Sequence, residues 1–231
     1  MELRKHVGKS LDDFRVIEGG CYHAGYYYMI FGNMRRKLSK IVKFKSGKQK
    51  KIVKISKTMS IGHANDCCVK GGILYVTHSG KSNAVHRIDA TSLVKMSDVV
   101  VSGCEGGFNA ICTHKDGFLI KKMHSKKIFV LDAEFKKKDT IKLSKTRKVG
   151  QGMTCHKDRI YRASSVGRSR KNYVSVYSIK GKLLKTHHYD KVCEIEDVMI
   201  VGGKIKVSLY KKYKKGKKKH FEAYIKTIVK L

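Results

Sequence analysis

Short apolar runs recur along this chain, separated by glycine-rich and polar turns. Five segments share one arrangement, a small or polar stretch followed by a tight turn and a β-rich run: "GGCYHAGYYYMIF", "GHANDCCVKGGILYVTH", "GGFNAICTHKDGFLIKK", "GQGMTCHKDRIYRASS" and "EIEDVMIVGGKIKVSLY". The β-rich runs begin near Tyr26, Ile73, Phe118, Ile160 and Lys204, at steps of 42 to 47 residues. A period of this length is typical of the blades of a β-propeller.

Two further apolar runs follow each of these segments. The first set reads KIVKF, AVHRID, KIFVLD, YVSVYSI and HFEAYI, and the second reads KIVKIS, SDVVV, DTIKLS, LLKTHHY and TIVKL. Turn pairs such as Ser46-Gly47 and Asp116-Gly117 separate the runs, as an antiparallel meander requires. Four strands repeated five times predict an all-β fold, a five-bladed β-propeller of four-stranded antiparallel blades.

The repeats resemble those of bacterial five-bladed β-propeller proteins, many of which are exported and have no established activity. The resemblance covers nearly the whole chain and implies one propeller domain over residues 16–231, preceded by an N-terminal appendage over residues 1–15. The predicted blades cover approximately residues 16–61, 62–106, 107–149, 150–193 and 194–231. The resemblance is specific for the fold and implies little about activity.

In a propeller the first strand of each blade lines the central channel, so equivalent residues face one axis. When the turns are aligned, the four-residue segments that begin at Val16, His63, Phe108, Gly150 and Glu194 become equivalent. These twenty positions hold no lysine or arginine but five of the 18 acidic residues. We therefore predict a polar, acidic channel mouth that binds a ligand. Its predicted residues are Glu18, His63, Asn65, Asp66, Asn109, Gln151, Glu194, Glu196 and Asp197.

Carboxylates and amides that face one axis can coordinate a hard cation, position a sugar or perform acid–base chemistry as paired carboxylates. Ca²⁺ in the central channel is the one cofactor that this pattern suggests. Strand alternation lets only one of Glu196 and Asp197 face the channel, and it favours Glu194 with Glu196. The competing interpretation is that these groups cap turns and hold water, with His63 hydrogen-bonded at a strand end. No catalytic residue can be assigned from the sequence.

The seven cysteines are an odd number and include no CxxC pair, so a disulfide framework is not expected. Cys21, Cys68 and Cys155 occupy one column of the repeat alignment. A small apolar residue that recurs on an inner strand indicates packing between blades. A thiol nucleophile or a metal ligand is the alternative, although zinc-type spacing is absent.

Positive charge dominates the composition. The chain has 52 Lys+Arg against 18 Asp+Glu, a formal charge of +34, and only 10 of the bases are arginine. Such a surface attracts an anionic polymer, which could be a cell-wall polymer, an acidic glycan or nucleic acid bound without sequence preference. The alternative is a biased composition that only solvates the fold.

The run "KKYKKGKKKH" at residues 211–220 lies between the second and third predicted strands of the last blade. We interpret it either as a solvated hairpin or as a polyanion-binding finger. In the second case its binding residues are Lys211, Lys212, Lys214, Lys215, Lys217, Lys218 and Lys219.

The amino end lacks the apolar segment of an export signal, and no stretch of 18 apolar residues occurs. We therefore expect no transmembrane segment. We also expect the protein to be a monomer. The compartment stays open, because the chain as given would be cytoplasmic and a mature form would be exported.

Two classes of function remain. The favoured one is a binding module for a ligand or a polyanion. The alternative is a hydrolase that uses the channel-mouth carboxylates and resembles five-bladed glycosidases or calcium-dependent nucleotidases. The acids come from blades one, two and five, whereas blades three and four contribute only Asn109 and Gln151. Whether the protein is an enzyme is therefore not decided by the sequence.

Overall fold

The computed structural model describes residues 3, 11, 13–33, 35–47, 51–80, 82–147, 149–166, 169–215 and 218–231, without the side chains of residues 214–220. These residues form 19 strands in five antiparallel sheets, one for each predicted blade. The predicted all-β, five-bladed propeller is therefore confirmed.

The first three blades each contain four strands in sequence order. Blade one has β1 (Val16–His23), β2 (Tyr26–Asn33), β3 (Leu38–Lys45) and β4 (Ile52–Ile55). Blade two has β5 (Ala64–Lys70), β6 (Ile73–His78), β7 (Ala84–Asp89) and β8 (Val99–Val100). Blade three has β9 (Phe108–His114), β10 (Gly117–Lys122), β11 (Lys127–Leu131) and β12 (Lys137–Lys142).

Blade four also contains four strands, whereas blade five contains three. Blade four has β13 (Gly150–His156), β14 (Arg159–Ser165), β15 (Asn172–Ser178) and β16 (Leu183–His188). Blade five has β17 (Glu194–Val201), β18 (Lys204–Lys215) and β19 (Lys218–Lys230). The runs HFEAYI and TIVKL, expected as two strands, both lie in β19, because only Lys226 separates them and no turn residue reverses the chain there.

The described part of the N-terminal fifteen residues packs against this last blade. The Leu3 N–H donates a 2.7 Å hydrogen bond to the Ala223 carbonyl of β19. Leu3, Leu11 and Phe14 are buried in one cluster with residues of blades one and five, including Ile225. Burial of these apolar side chains stabilises the junction where the ring of blades closes.

Five apolar clusters hold the ring together, one at each junction between neighbouring blades. Strand alternation sends successive residues to opposite junctions. On β2, for example, Tyr28 and Ile30 pack toward blade two, whereas Met29 and Phe31 pack toward blade five. Each blade therefore buries both faces, and the inner strands converge on one axis.

Every inner strand carries an irregular register near its first residues. The pairing shifts between Ile17 and Gly19 in β1, between Ala64 and Asp66 in β5, and at equivalent positions in β9, β13 and β17. A β-bulge inserts an extra residue and redirects its side chain. The extra residues at this end of the channel are Glu18, Asn65, Asn109, Gln151 and Glu196.

Candidate ligand site at the channel mouth

The bulges bring polar residues of all five blades to one end of the channel, which we call the channel mouth. Glu18, Asn65, Asn109, Gln151 and Glu196 are all buried there. Asp197, directly after Glu196, is buried as well. The expectation that only one of this pair could face inward is wrong, because the bulge between Ile195 and Asp197 interrupts the alternation.

Below the mouth, Asp66 and Asp197 accept hydrogen bonds from the backbone of all five blades. The Asp66 carboxylate accepts the N–H groups of Cys67 at 2.7 Å, Ile111 at 2.9 Å and Met153 at 3.1 Å. The Asp197 carboxyl accepts the remaining two N–H groups, from Gly20 at 2.8 Å and from Val198 at 2.6 Å. The two aspartates, which we call the axial pair, therefore connect the blades to one another.

Small residues make room for the axial pair. A Cβ atom on Gly152 would lie 2.1 Å from Asp197 Oδ1, and one on Gly19 would lie 1.8 Å from the Asn65 carbonyl oxygen. Gly19, Ala110 and Gly152 occupy the positions that Asp66 and Asp197 take in the other blades. The repeat alignment, which placed Ile111 and Met153 there, is therefore wrong by one residue in blades three and four. The positions of Gly19 and Gly152 therefore have no room for a carboxyl group.

Burial controls the protonation of the axial pair. It raises the pKa of Asp66 to about 7, although three backbone hydrogen bonds and one from Asp197 favour the charged form. Burial also raises the pKa of Asp197 well above its usual range, and the neighbouring charge of Asp66 raises it further. Burial therefore favours the protonated form of Asp197, which donates a hydrogen bond to Asp66.

The acidic side of the mouth lies on blades one and five. Burial raises the pKa of Glu196 well above its usual range, and the charges of Glu194 and Glu18 raise it further. Among the described residues, Glu196 finds no hydrogen-bond partner. Burial therefore favours the protonated form of Glu196, which can donate a hydrogen bond.

His63 lies beside this acidic side and is partly exposed. Its Nε2 lies 2.6 Å from Glu18 Oε2, and its Nδ1 lies 3.2 Å from the Ser79 hydroxyl. The hydrogen bond to Glu18 raises the pKa of His63, against the opposing effect of burial. The second oxygen of Glu18, Oε1, is buried and has no hydrogen-bond partner.

Lys121 and Arg162, on blades three and four, form a basic side that the sequence analysis missed. Both residues are 1% exposed, and neither pairs with a carboxylate among the described residues. Lys121 Nζ donates to the Lys122 carbonyl at 2.7 Å, while Arg162 Nη1 lies 3.5 Å from the Arg147 carbonyl. Burial, followed by the charge of Arg162, lowers the pKa of Lys121 to about 7.

Register places these cations next to the mouth. Lys121 pairs with Ala110 and Arg162 with Met153, directly below the bulges of β9 and β13. A Cβ atom on Gly150 would meet the Arg162 guanidinium, and the Gly150 carbonyl accepts a 2.6 Å hydrogen bond from Asn109 Nδ2. One sequence signal could have indicated these buried cations. It is a lysine or arginine inside the apolar run that forms the second strand of a blade, such as Arg162 between Tyr161 and Ala163.

Among the described residues, eight buried side-chain polar atoms have no hydrogen-bond partner, and each blade contributes at least one of them. Buried polar atoms are nearly always hydrogen-bonded to protein or to water. Ser208 belongs to this set as the strand partner of Asp197. Five of the eight, one on each blade, are Glu18 Oε1, Asn65 Oδ1, Asn109 Oδ1, Arg162 Nε and Ser208 Oγ, and the other three are Ser39 Oγ, His86 Nε2 and Ser164 Oγ. The inner end of each blade thus retains hydrogen-bonding capacity for water or for a small polar ligand.

The remaining predicted mouth residues complete the acidic side. Gln151 Nε2 lies 3.4 Å from Glu194 Oε1, so this amide connects blade four to blade five. Within the part of the chain that the structure describes, no group of three or more His, Cys, Asp or Glu side chains is arranged to hold a metal ion. Ca²⁺ binding stays a prediction.

The lysine-rich hairpin is only partly described. Its backbone pairs as far as Lys215 opposite Lys218, and Lys211 Nζ lies 3.9 Å from Glu222 Oε2. Lys212 lies beside Lys211 on β18. Lys217 lies outside the described residues, as do the side chains of Lys214, Lys215, Lys218 and Lys219. Polyanion binding by this hairpin stays a prediction.

Cysteines line the opposite end of the channel. Cys21 Sγ and Cys67 Sγ lie 3.5 Å apart as free thiols, next to a cavity of about 70 Å³. Burial raises the pKa of Cys67, Cys68 and Cys112 well above the usual range, so these groups stay protonated and are weak nucleophiles. Their burial in the clusters between blades agrees with a packing role.

No helix among the described residues has the length and apolar character needed to cross a membrane.

Comparison with known proteins yields likeness in structure alone. No protein-family model matches the chain, and no curated protein matches it. Among solved structures, the Myxococcus xanthus glutaminyl cyclase is 11% identical, with a TM-score of 0.65 over 94% of this chain and 93% of that one.

Two further structures are similar to a lesser degree. A chain of a nidogen/laminin complex is 10% identical, with a TM-score of 0.56 over 85% of this chain and 75% of that one. A luciferin-regenerating enzyme is 11% identical, with a TM-score of 0.50 over 87% and 85% of the two chains. Likenesses at this level of identity show that the chain has a β-propeller fold.

Proposed function

We propose that this protein is a binding module whose channel mouth holds a small zwitterionic ligand, one that carries both an amine and a carboxylate or similar oxyanion. The observation that carries this proposal is the set of buried, unpartnered polar atoms, at least one on each blade. Acids lie on blades one and five and cations on blades three and four, so the mouth has two sides of opposite charge.

The basic side is costly without an anion. A buried cation that lacks a carboxylate partner destabilises the fold by several kcal/mol in general. An oxyanion near Lys121 and Arg162 would compensate both charges and accept the free N–H of Arg162 Nε. The planar guanidinium suits a carboxylate, because its N–H groups match the two carboxylate oxygens.

The acidic side suits an amine. Glu18 Oε1 is a buried acceptor without a donor, which an ammonium group can supply. Asn65 and Asn109 each keep a free carbonyl oxygen that can orient the ligand between the two sides. The neutral Glu196 can donate to a ligand carbonyl or carboxylate.

Thermal unfolding and titration calorimetry with the twenty free amino acids test this proposal, with methylamine, acetate and CaCl₂ added separately. We expect at least one amino acid to raise the Tm by several degrees at millimolar concentration and to exceed methylamine and acetate combined, since a ligand of the native state stabilises by mass action. A shift by CaCl₂ alone would instead favour the cation interpretation.

Matched variants assign the response to the mouth. Arg162→Met should remove it, whereas Arg159→Met, an exposed arginine on the same strand, should preserve it. Lys121→Met is the second variant if Arg162→Met fails to fold. Absence of any amino-acid response, or a full response in both mouth variants, would overturn the proposal.

The outer surface supports polyanion binding as a second part of this function. Five of the 18 acidic residues belong to the channel, which leaves 13 for the rest of a chain with 52 lysines and arginines. The exterior is therefore more basic than the overall composition indicates. Retention on heparin, with elution that depends steeply on salt, is the expected behaviour.

Catalysis at the mouth is the alternative, favoured by two groups with shifted pKa values. Glu196 is a neutral acid, and Lys121, with a pKa of about 7, can accept a proton near neutral pH. Hydrolysis of glycosides and nucleotides should be assayed first. One structural neighbour is a glutaminyl cyclase, so a peptide with an N-terminal glutamine belongs in the same assay. Turnover that is abolished by Glu196→Gln would establish an enzyme in place of a binding module.

A further inference from the structure

A cavity of about 460 Å³ lies between blades one and five, outside the channel. It falls in the size range of small-molecule sites. Residues from the N-terminal segment, the hairpin between β2 and β3, and the two long strands of the last blade line it. We call it the interblade cavity, and its lining includes Asp13, Arg15, Arg35, Arg36, Tyr210, Lys212 and Phe221.

The lining is strongly basic and rich in arginine. Among the described lining residues, four cations face one carboxylate, that of Asp13. Three of the chain's ten arginines meet here, although lysine is four times as common in the sequence. Guanidinium groups bind phosphate and carboxylate oxygens through two parallel N–H donors, whereas an ammonium acts as a point charge. The cavity therefore concentrates the side chain best suited to a tetrahedral oxyanion.

A tight turn presents two of the arginines. The Arg36 N–H lies 3.2 Å from both the main-chain and the side-chain oxygen of Asn33, which ends β2. Arg35 and Arg36 are exposed, and no described carboxylate lies within ion-pair distance of either one. These guanidinium groups are available to an external anion.

An aromatic wall forms the other part of the cavity. The rings of Tyr210 and Phe221 are stacked, with centroids 6.2 Å apart. Arg15 Cζ and Lys212 Nζ each lie 5.4 Å from the centre of the Phe221 ring. Cation–π contacts of this kind hold two of the charges next to an apolar surface.

We propose that the interblade cavity binds a phosphate monoester that carries a planar ring, with the phosphoryl group on the arginines and the ring against Phe221. This inference deepens the polyanion-binding part of the proposed function and rests on it, because it names a site and a chemical group. A doubly charged terminal phosphate distinguishes such a ligand from the singly charged diesters along a nucleic-acid backbone.

Titration calorimetry with three probes tests the proposal: adenosine 5′-monophosphate, adenosine and ribose 5-phosphate. We expect the nucleotide to bind at micromolar to low millimolar Kd, ribose 5-phosphate to bind roughly tenfold more weakly, and adenosine to show no measurable binding. Inorganic phosphate and sulfate serve as the competing simple anions.

Three double variants separate the site from general charge attraction. Arg35→Gln with Arg36→Gln should weaken nucleotide binding at least tenfold, and Arg35→Lys with Arg36→Lys should weaken it as well, because charge without the guanidinium fork is insufficient. Lys45→Gln with Lys51→Gln removes two exposed charges elsewhere on blade one and should leave binding unchanged.

Heparin retention measured on the same variants keeps the two proposals distinguishable. Loss of nucleotide binding with heparin retention preserved supports the interblade cavity as a distinct site. Equal binding of adenosine and its monophosphate would overturn the inference, as would unchanged nucleotide binding in the variant with Arg35→Lys and Arg36→Lys. Neither result would affect the proposal of polyanion binding. Absence of heparin retention would overturn the polyanion proposal itself.

Discussion

The substitution Asp197→Asn tests the axial pair directly. The Gly20 and Val198 N–H groups bond to different oxygens of Asp197, so the single asparagine oxygen can accept only one of them. The asparagine amide N–H can replace the proton that Asp197 donates to Asp66. The variant should therefore fold, with a loss of about 1 to 3 kcal/mol from the N–H group left without an acceptor. It should differ from the wild type in how its stability depends on pH, because one titrating group has been removed.

The raised pKa values of the pair determine whether stability rises or falls with pH. The folded-state pKa of Asp66 is about 7, against 3.8 for an unperturbed aspartate, and that of Asp197 is also raised. The native state therefore holds protons that the unfolded chain has released above pH 4. The stability that these protons contribute is fully present below about pH 4 and is lost as the pH rises through the folded-state pKa values.

The magnitude follows from proton linkage. Each extra proton held by the native state changes the free energy of unfolding by about 1.4 kcal/mol per pH unit. Removal of the Asp197 proton should therefore make the fall in stability above pH 4 shallower, by at most about 1.4 kcal/mol per pH unit.

Urea unfolding at half-unit pH steps, at constant ionic strength, measures this difference. Asp158→Asn, on the exposed turn between β13 and β14, is the matched control and should retain the wild-type slope. If Asp197→Asn and the wild type lose stability in parallel between pH 4 and pH 7, the axial pair does not hold the proton and this interpretation of the channel fails.

Four further outcomes are expected for the channel and for the basic surface. Asp66→Ala leaves three backbone N–H groups without an acceptor, and denaturant unfolding should show a loss of about 3 kcal/mol or more, at roughly 1 kcal/mol for each. Gly152→Ala places a methyl group 2.1 Å from Asp197 Oδ1 and should lower the free energy of unfolding by about 1 to 3 kcal/mol; wild-type stability would show that the channel can expand. The lowered pKa of Lys121 makes the stability of the wild type rise with pH from about 7 toward the usual lysine pKa near 10. Lys121→Met should lack that rise. At pH 6 the variant should be more stable than the wild type, as measured by Tm. Heparin affinity should fall steeply between low and physiological salt, and a salt-independent binding constant would exclude the electrostatic account.

The blade architecture could be predicted from the sequence, because each blade repeats one local pattern. A turn such as Asp116-Gly117 reverses the chain between two runs of strand-forming residues, and this local rule applies in every repeat. The acidic mouth could be predicted for a related reason. Inner-strand residues such as Glu18 and Asn65 occupy equivalent repeat positions, and the propeller fold brings equivalent positions to one axis. The last blade departs from the pattern, because no turn residue divides β19.

Tertiary structure alone decided the chemistry of the channel. The bulge that turns both Glu196 and Asp197 inward is a feature of backbone pairing, which residue types do not reveal. Asp66 and Asp197 meet only because the ring closes. Lys121 and Arg162 resemble the other bases of a chain that contains 52 of them, and only the packing of blade three against blade four buries them beside the mouth. Local pattern specifies which segments become strands, whereas burial and convergence determine which charged groups lose water and acquire shifted pKa values.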